Sequence, residues 1–108
     1  MSTYKAVFSD IDGTLLTSEH IVSTATIEAI ASLQDKNIPF VIISSRSASC
    51  IYPILEKHHF QCPIVACGGA WIEDMNGRIL SNEGMSKQTA ATVIEFMTEK
   101  KFDLAWGI

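Results

Sequence analysis

A chain of 108 residues, 47% of them apolar, has the length of one small domain and enough apolar side chains to fill a core, which excludes a disordered polypeptide. With a net charge of −4 and only eight scattered Lys and Arg residues it does not offer a non-specific nucleic-acid surface, and no apolar run approaches membrane-spanning length. The opening Met1-Ser2-Thr3-Tyr4-Lys5 lacks the charged-then-apolar pattern of a signal segment, so the expected location is cytoplasmic, with neither nucleic acid nor membrane as a partner.

Tyr4 to Ser9 is too short for a helical stripe, but Val7 and Phe8 fit a short buried strand that ends where Asp10-Ile11-Asp12-Gly13-Thr14-Leu15-Leu16 begins. Strand side chains alternate, so Asp10 and Asp12 share one side and Ile11 takes the other if the extended conformation persists. Two carboxylates that close need a cation or a shared proton. Gly13 permits a sharp turn that brings bare N–H groups near an anion, and the carboxyl end of a strand is where ligands bind in open α/β sheets. A hard divalent cation beside a phosphate held by amides and the Thr14 hydroxyl satisfies these demands, one carboxylate attacking phosphorus and the other handling protons.

Thr17-Ser18-Glu19-His20 reads as a loop able to cover the site, and a lone loop His such as His20 is usually solvated. Ser23 or Thr24 caps a helix running to about Lys36, with Ile27, Ile30 and Ala31 on one face and Asn37 as a left-handed stop. Phe40-Val41-Ile42-Ile43 predicts a strand buried on both faces of a parallel sheet. Its end, Ser44-Ser45-Arg46, places a hydroxyl beside the first motif. From Ser47 to about His58 the spacing of Ile51, Ile54 and Leu55 predicts a helix that either begins near Tyr52 or kinks at Pro53, with His58 and His59 on the surface at its end. Pro63 to Cys67 is a third strand, giving β-α-β-α-β, half of a doubly wound fold. Cys50, Cys62 and Cys67 have no C-x-x-C spacing and no neighbouring His cluster, so they read as free buried thiols.

Gly68-Gly69-Ala70 ends the third strand and permits close approach of a backbone or a ligand. Trp71-Ile72-Glu73 and Arg78-Ile79-Leu80 flank an Asn-Gly turn, predicting a hairpin that leads out of the core. Ser86 caps a helix with Ala90, Val93, Ile94 and Met97 on a face expected to be core, and Leu104, Trp106 and Ile108 alternate as a last strand.

The run Asp10-Ile-Asp12-Gly-Thr-Leu-Leu resembles the first signature of the haloacid dehalogenase superfamily of phosphohydrolases, in its Cof-like sugar-phosphatase branch. The resemblance implies that Asp10 is the nucleophile that becomes an aspartyl phosphate and that Asp12 is the acid/base. Mg2+ would be held by Asp10 and Asp12, the latter through its backbone carbonyl. Ser44 matches the second signature, and Gly13, Thr14, Ser44, Ser45 and Arg46 are the implied phosphate-binding set. Ser45 stands where that branch has Gly, and would be strained if the φ there were positive. Gly69-Ala70 matches a common Asn-Gly-Ala, with Gly68 in place of Asn.

By resemblance, the fold class is α/β, a partial doubly wound parallel (Rossmann-like) sheet followed by the beginning of an α/β cap. Residues 1–70 would form the N-terminal half of the core and 71–108 the start of the cap. The implied function is a magnesium-dependent phosphatase acting on a small phosphorylated metabolite, a sugar phosphate by resemblance. The downstream Lys and acidic motif of that family have no counterpart here, so the segment by itself is expected to bind magnesium weakly and to be inactive or severely impaired. The alternative is a non-catalytic module that keeps the phosphate-binding loop. In either case, without the downstream strands that flank the first strand in that family, Tyr4 to Ser9 is expected to be an open sheet edge and a route to self-association.

Overall fold

β2 (Phe40–Ile43) lies in the middle of three parallel strands, between β1 (Val7–Ser9) and β3 (Ile64–Ala66), in a computed structural model that describes residues 3–104. The sheet continues through β4 (Trp71–Glu73) and β5 (Ile79–Asn82), both antiparallel, in the spatial order β1-β2-β3-β4-β5. The helices are α1 (Thr24–Asp35), α2 (Ala48–His58) and α3 (Lys87–Glu99). The fold is α/β, as expected, with a mixed rather than purely parallel sheet because the hairpin stays hydrogen-bonded to β3 instead of leaving it.

Register decides which residues make the core. Directly paired residues share a face, so Val7, Phe40, Ile42, Ile64, Ala66, Trp71 and Glu73 point one way. That face meets Ile30 of α1 and Ile51 of α2 in a single cluster joined by Ile11, Leu15, Leu16, Val22 and Cys62. Phe8, Val41, Ile43, Val65 and Ile72 point the other way. Phe8 is 60% exposed, which corrects the expectation of a buried first strand, whereas Phe40, Val41 and Ile42 bury both faces of β2 as expected and only its last residue, Ile43, opens to solvent at 36%. The cause is topological: right-handed crossovers between strands laid down in one direction put α1 and α2 on the same face.

The helix boundaries follow from local chemistry. Ser23 and Ser86 accept N–H bonds from Thr26 and Thr89, satisfying orphan donors at the starts of α1 and α3. All three helices end alike, the first left-handed residue being Asn37, His59 or Lys101. In each, two backbone bonds close the last turn, such as Asn37 N–H to Gln34 O and Ile38 N–H to Leu33 O. Leu33, rather than the exposed Ala31, completes the apolar face of α1. α2 continues unbroken through Pro53 from Ala48, so it does not begin near Tyr52.

Two expectations fail further on. Cys50 and Cys67 are exposed and only Cys62 is buried, because Cys50 lies in the first turn of α2 and Cys67 in the turn that follows β3. α3 has no fully buried residue, and Val93 and Phe96 stand open to solvent, so its apolar face is not core among the described residues. The alternation Leu104, Trp106, Ile108 passes outside the described residues after Leu104.

Candidate active site

β1 hands the chain to a wide turn at Ile11–Leu15, closed by Leu15 N–H to Asp10 O (3.2 Å) and Leu16 N–H to Ile11 O (3.0 Å). Asp10 (φ −70°, ψ 163°) and Asp12 (φ −73°, ψ 121°) are still extended, so the alternation expected from the sequence holds. Ile11 is fully buried and pins the segment, while both carboxylates face solvent. Gly13 then reverses the chain at φ +75°, a conformation that a side chain would strain, and Leu15 and Leu16 drop back into the core. Three buried apolar anchors thus hold Asp10, Asp12, Gly13 and Thr14 on display at the end of β1.

Arg46 closes the arrangement from the end of β2. Its Nε donates to Asp12 Oδ2 at 2.9 Å and its Nη2 to Oδ1 at 2.6 Å, a two-pronged ion pair. These hydrogen bonds hold the Asp12 carboxyl below its usual range; slight burial opposes them, and the charges of Arg46 and His20 add to them. The same bonds push the Arg46 guanidinium higher still. Asp10 has no side-chain hydrogen bond or ion pair among the described residues.

Ser44 is 4% exposed and organises the neighbouring loops. Its Oγ accepts from Arg46 N–H (3.0 Å), its N–H donates to Val65 O (2.8 Å), and its carbonyl accepts from Gly68 N–H (3.0 Å). Ser45 is exposed and stays out of the left-handed region, so its replacement of glycine brings no backbone strain. Thr14 is exposed within the turn. His20, left-handed at φ +60° on a turn closed by Thr17 N–H to Ile21 O, lies near enough for its charge to reach Asp12.

The structure therefore brings Asp10, Asp12, Gly13, Thr14, Ser44, Ser45 and Arg46 to one end of the sheet, with Arg46 on a carboxylate rather than standing free. Sequence reasoning missed that pair. Its signal was a single cation at the end of the strand adjacent to two uncompensated carboxylates. It also missed Glu73, whose buried Oε1 accepts from Trp71 Nε1–H (2.8 Å) and from the Tyr52 hydroxyl of α2. That contact raises the Tyr52 phenol above its usual range.

The donor set suits Mg2+ in kind. Asp10 offers a solvated, unpaired carboxylate and Asp12 a main-chain oxygen, and Mg2+ takes few carboxylates and keeps several waters. The described residues hold no group of three or more His, Cys, Asp or Glu side chains that would make a tighter or softer metal centre.

Comparison with known proteins decides the lineage. The family model described as haloacid dehalogenase-like hydrolase matches residues 7–107. The chain belongs to the haloacid dehalogenase-like hydrolase family. Within that family, a Haemophilus influenzae relative is 47% identical over 73 residues, 68% of this chain and 28% of its own length. The pyridoxal phosphate phosphatase of Escherichia coli is 26% identical over 98 residues, covering 90% of this chain and 36% of its own. A haloacid dehalogenase-like hydrolase from B. subtilis superposes with a TM-score of 0.86 at 28% identity, over 90% of this chain and 34% of that one. The chain thus spans about a third of the length of the relatives it matches. Among the described residues no helix is long and apolar enough to cross a membrane.

Proposed function

We propose that this segment carries the nucleophile and the phosphate-binding turn of a magnesium-dependent phosphatase for a small phosphorylated metabolite of the sugar-phosphate class. The observation that carries the reading is the pair of displayed carboxylates flanking buried Ile11, with the Gly13 turn on one side and the Arg46 guanidinium on the other. Asp10, unpaired and solvated, is the nucleophile: its carboxylate oxygen forms a bond to phosphorus as the ester P–O bond breaks. Asp12, protonated once Arg46 releases its carboxylate, gives the departing oxygen its proton. In the second half, Asp12 takes a proton from water, whose oxygen bonds to phosphorus as the aspartyl P–O bond breaks, releasing phosphate and restoring Asp10.

Main-chain N–H groups of the Gly13 turn and the hydroxyls of Thr14 and Ser44 hold the phosphoryl oxygens, and Ser45 lies on the same loop. Arg46 orients Asp12, and in turn can meet a phosphate oxygen when it releases that carboxylate. Asp10 and the Asp12 main-chain carbonyl would hold Mg2+, which would neutralise charge on the transferring group. Asp10→Asn in a longer polypeptide that contains this segment and hydrolyses an aryl phosphate tests the reading: turnover should vanish, with the fold intact, and the unsubstituted protein should yield an acid-labile phosphate on Asp10. Turnover that survives the substitution refutes the covalent route.

A second reading, a phosphate-binding module without turnover, draws on the Asp12–Arg46 pair, which occupies both oxygens of the proposed acid/base. Two further proposals belong with the first. Ala70 marks the boundary between core and cap, since α3 beyond it buries nothing fully. β1, with a partner only in β2 among the described residues, mediates self-association of the isolated segment, which sedimentation at several concentrations would reveal as a rising average mass.

A further inference from the structure

The turn Cys67–Gly69, at the carboxyl end of β3, takes no part in the chemistry described above, yet it is fastened to it. Cys67 N–H donates to Arg46 O at 2.8 Å and Gly68 N–H to Ser44 O at 3.0 Å, so the turn is fixed relative to both loops that surround the carboxylates. β3 lies two strand positions from β1, and with strands about 4.8 Å apart the turn stands roughly 10 Å from the end of β1. A phosphoryl group seated on Asp10 does not reach that far. The rest of its ester does.

Three successive left-handed residues shape the turn: Cys67 (φ +52°), Gly68 (φ +64°) and Gly69 (φ +107°). A Cβ added at either glycine meets nothing within 4 Å, so neither glycine is there to let another part of the chain pack closely. Gly68, at φ +64° and ψ +22°, has a backbone conformation that Asn adopts readily, which leaves its missing side chain without an internal reason. Both glycines therefore border open space, on a turn fastened to the loops that carry Ser44 and Arg46. The stretch Cys67 through Trp71 contains no charged side chain.

We propose that the Cys67–Gly69 turn is the subsite for the leaving group of the phosphate ester and that it takes a neutral organic moiety, a ring or a polyol, rather than a second anion. Gly68 is then a specificity-determining residue, keeping space that the leaving group fills. This rests on the phosphatase reading, because it locates the leaving group from a phosphate held at Asp10.

Cys67 supplies a probe that needs no turnover. In the Cys50→Ser chain it is the only exposed thiol among the described residues, since Cys62 is buried and its thiol is pushed up to about 11. With magnesium present, alkylation of Cys67 by iodoacetamide would be timed with saturating inorganic phosphate or phenylphosphonate, binding of each being followed independently by 31P line broadening. Phenylphosphonate should slow alkylation several-fold while inorganic phosphate leaves it near the free rate. Gly68→Asn should lower the affinity ratio of phenylphosphonate to phosphate. If both ligands bind but protect Cys67 equally, or if the ratio is unmoved by Gly68→Asn, the subsite is refuted and the phosphate site stands. If neither ligand binds, the phosphate site falls and the subsite with it.

Discussion

The half of the molecule built from β1, α1, β2, α2 and β3 and the half built from β4, β5 and α3 use similar apolar residues to very different effect. In the first, one sheet face and two amphipathic helices bury Ile11, Ile42, Ile51 and Ile64 completely. In the second, Ile79, Leu80, Val93 and Phe96 stay exposed and the buried residue is a carboxylate, Glu73. The radius of gyration, 16.7 Å, exceeds the about 13 Å of a compact domain this long, as expected if the second half extends from the first. Apolar content alone does not make a core; a second surface must close on it. The candidate catalytic residues all lie on the half where that closure occurs, whose buried anchors hold them in place.

The sharpest way to break this contrast is to cut the same kind of side chain on each side. Ile42→Ala should cost about 2–5 kcal/mol in a denaturant melt, the usual range for an isoleucine removed from a closed core. Ile94→Ala on α3 should cost under about 1 kcal/mol, as at a surface site. Equal losses would mean that α3 is as well packed as β2.

Glu73→Ala comes next, because it leaves the Tyr52 hydroxyl and the Trp71 indole N–H without their acceptor, for a loss of about 1–3 kcal/mol. A double-mutant cycle with Tyr52→Phe should show strong coupling, since this contact ties the hairpin to α2. Additive losses would deny the tie.

Removing the helix caps is a smaller test. Ser23→Ala and Ser86→Ala each delete a comparable N-cap, worth about 1 kcal/mol. The first should lower global stability, while the second should mainly speed hydrogen exchange within α3.

The smallest effect is alkaline. Cys62 has its thiol raised by burial from 9.0 to about 11, so the folded state keeps a proton that the unfolded state gives up first. Its contribution is fully present below pH 9 and is lost as pH rises from there through about 11. Stability measured across that window should fall, and Cys62→Ala should flatten the slope.

Much of the first half was legible because its signals agree. Ile11 between two aspartates, Gly13 after them and the Leu pair behind can satisfy a sheet core only with the carboxylates outward, and the caps at Ser23 and Asn37 bracket α1. What escaped was long-range. Which face of Phe8 or Ile43 is covered depends on where two crossover helices land, and the sequence of either strand contains no record of that. The Arg46 fork on Asp12 and the Tyr52–Glu73 contact join residues far apart in the chain, with no local spacing to betray them. Pro53 misled for a related reason: packing of Ile51 and its neighbours outweighs the one backbone bond that proline removes. α3 shows the converse, a pattern written for burial with no covering surface among the described residues.

The parallel register of β1 with β2 has a consequence for the order of assembly. Ile72 meets Ser81 across a short turn, a closure that a chain can make in about 1–10 μs. Val7 must find Phe40 with all of α1 in between, and Ile42 must find Ile64 across α2, so their loop entropy is lost before any pairing rewards it. Among the described residues β1 has one neighbour to template it, and Asp10, Asp12 and the Gly13 turn follow directly from its end. The hairpin can therefore be native while the carboxylates are still unplaced, and the step that creates the site is the late docking of the first strand the chain encodes.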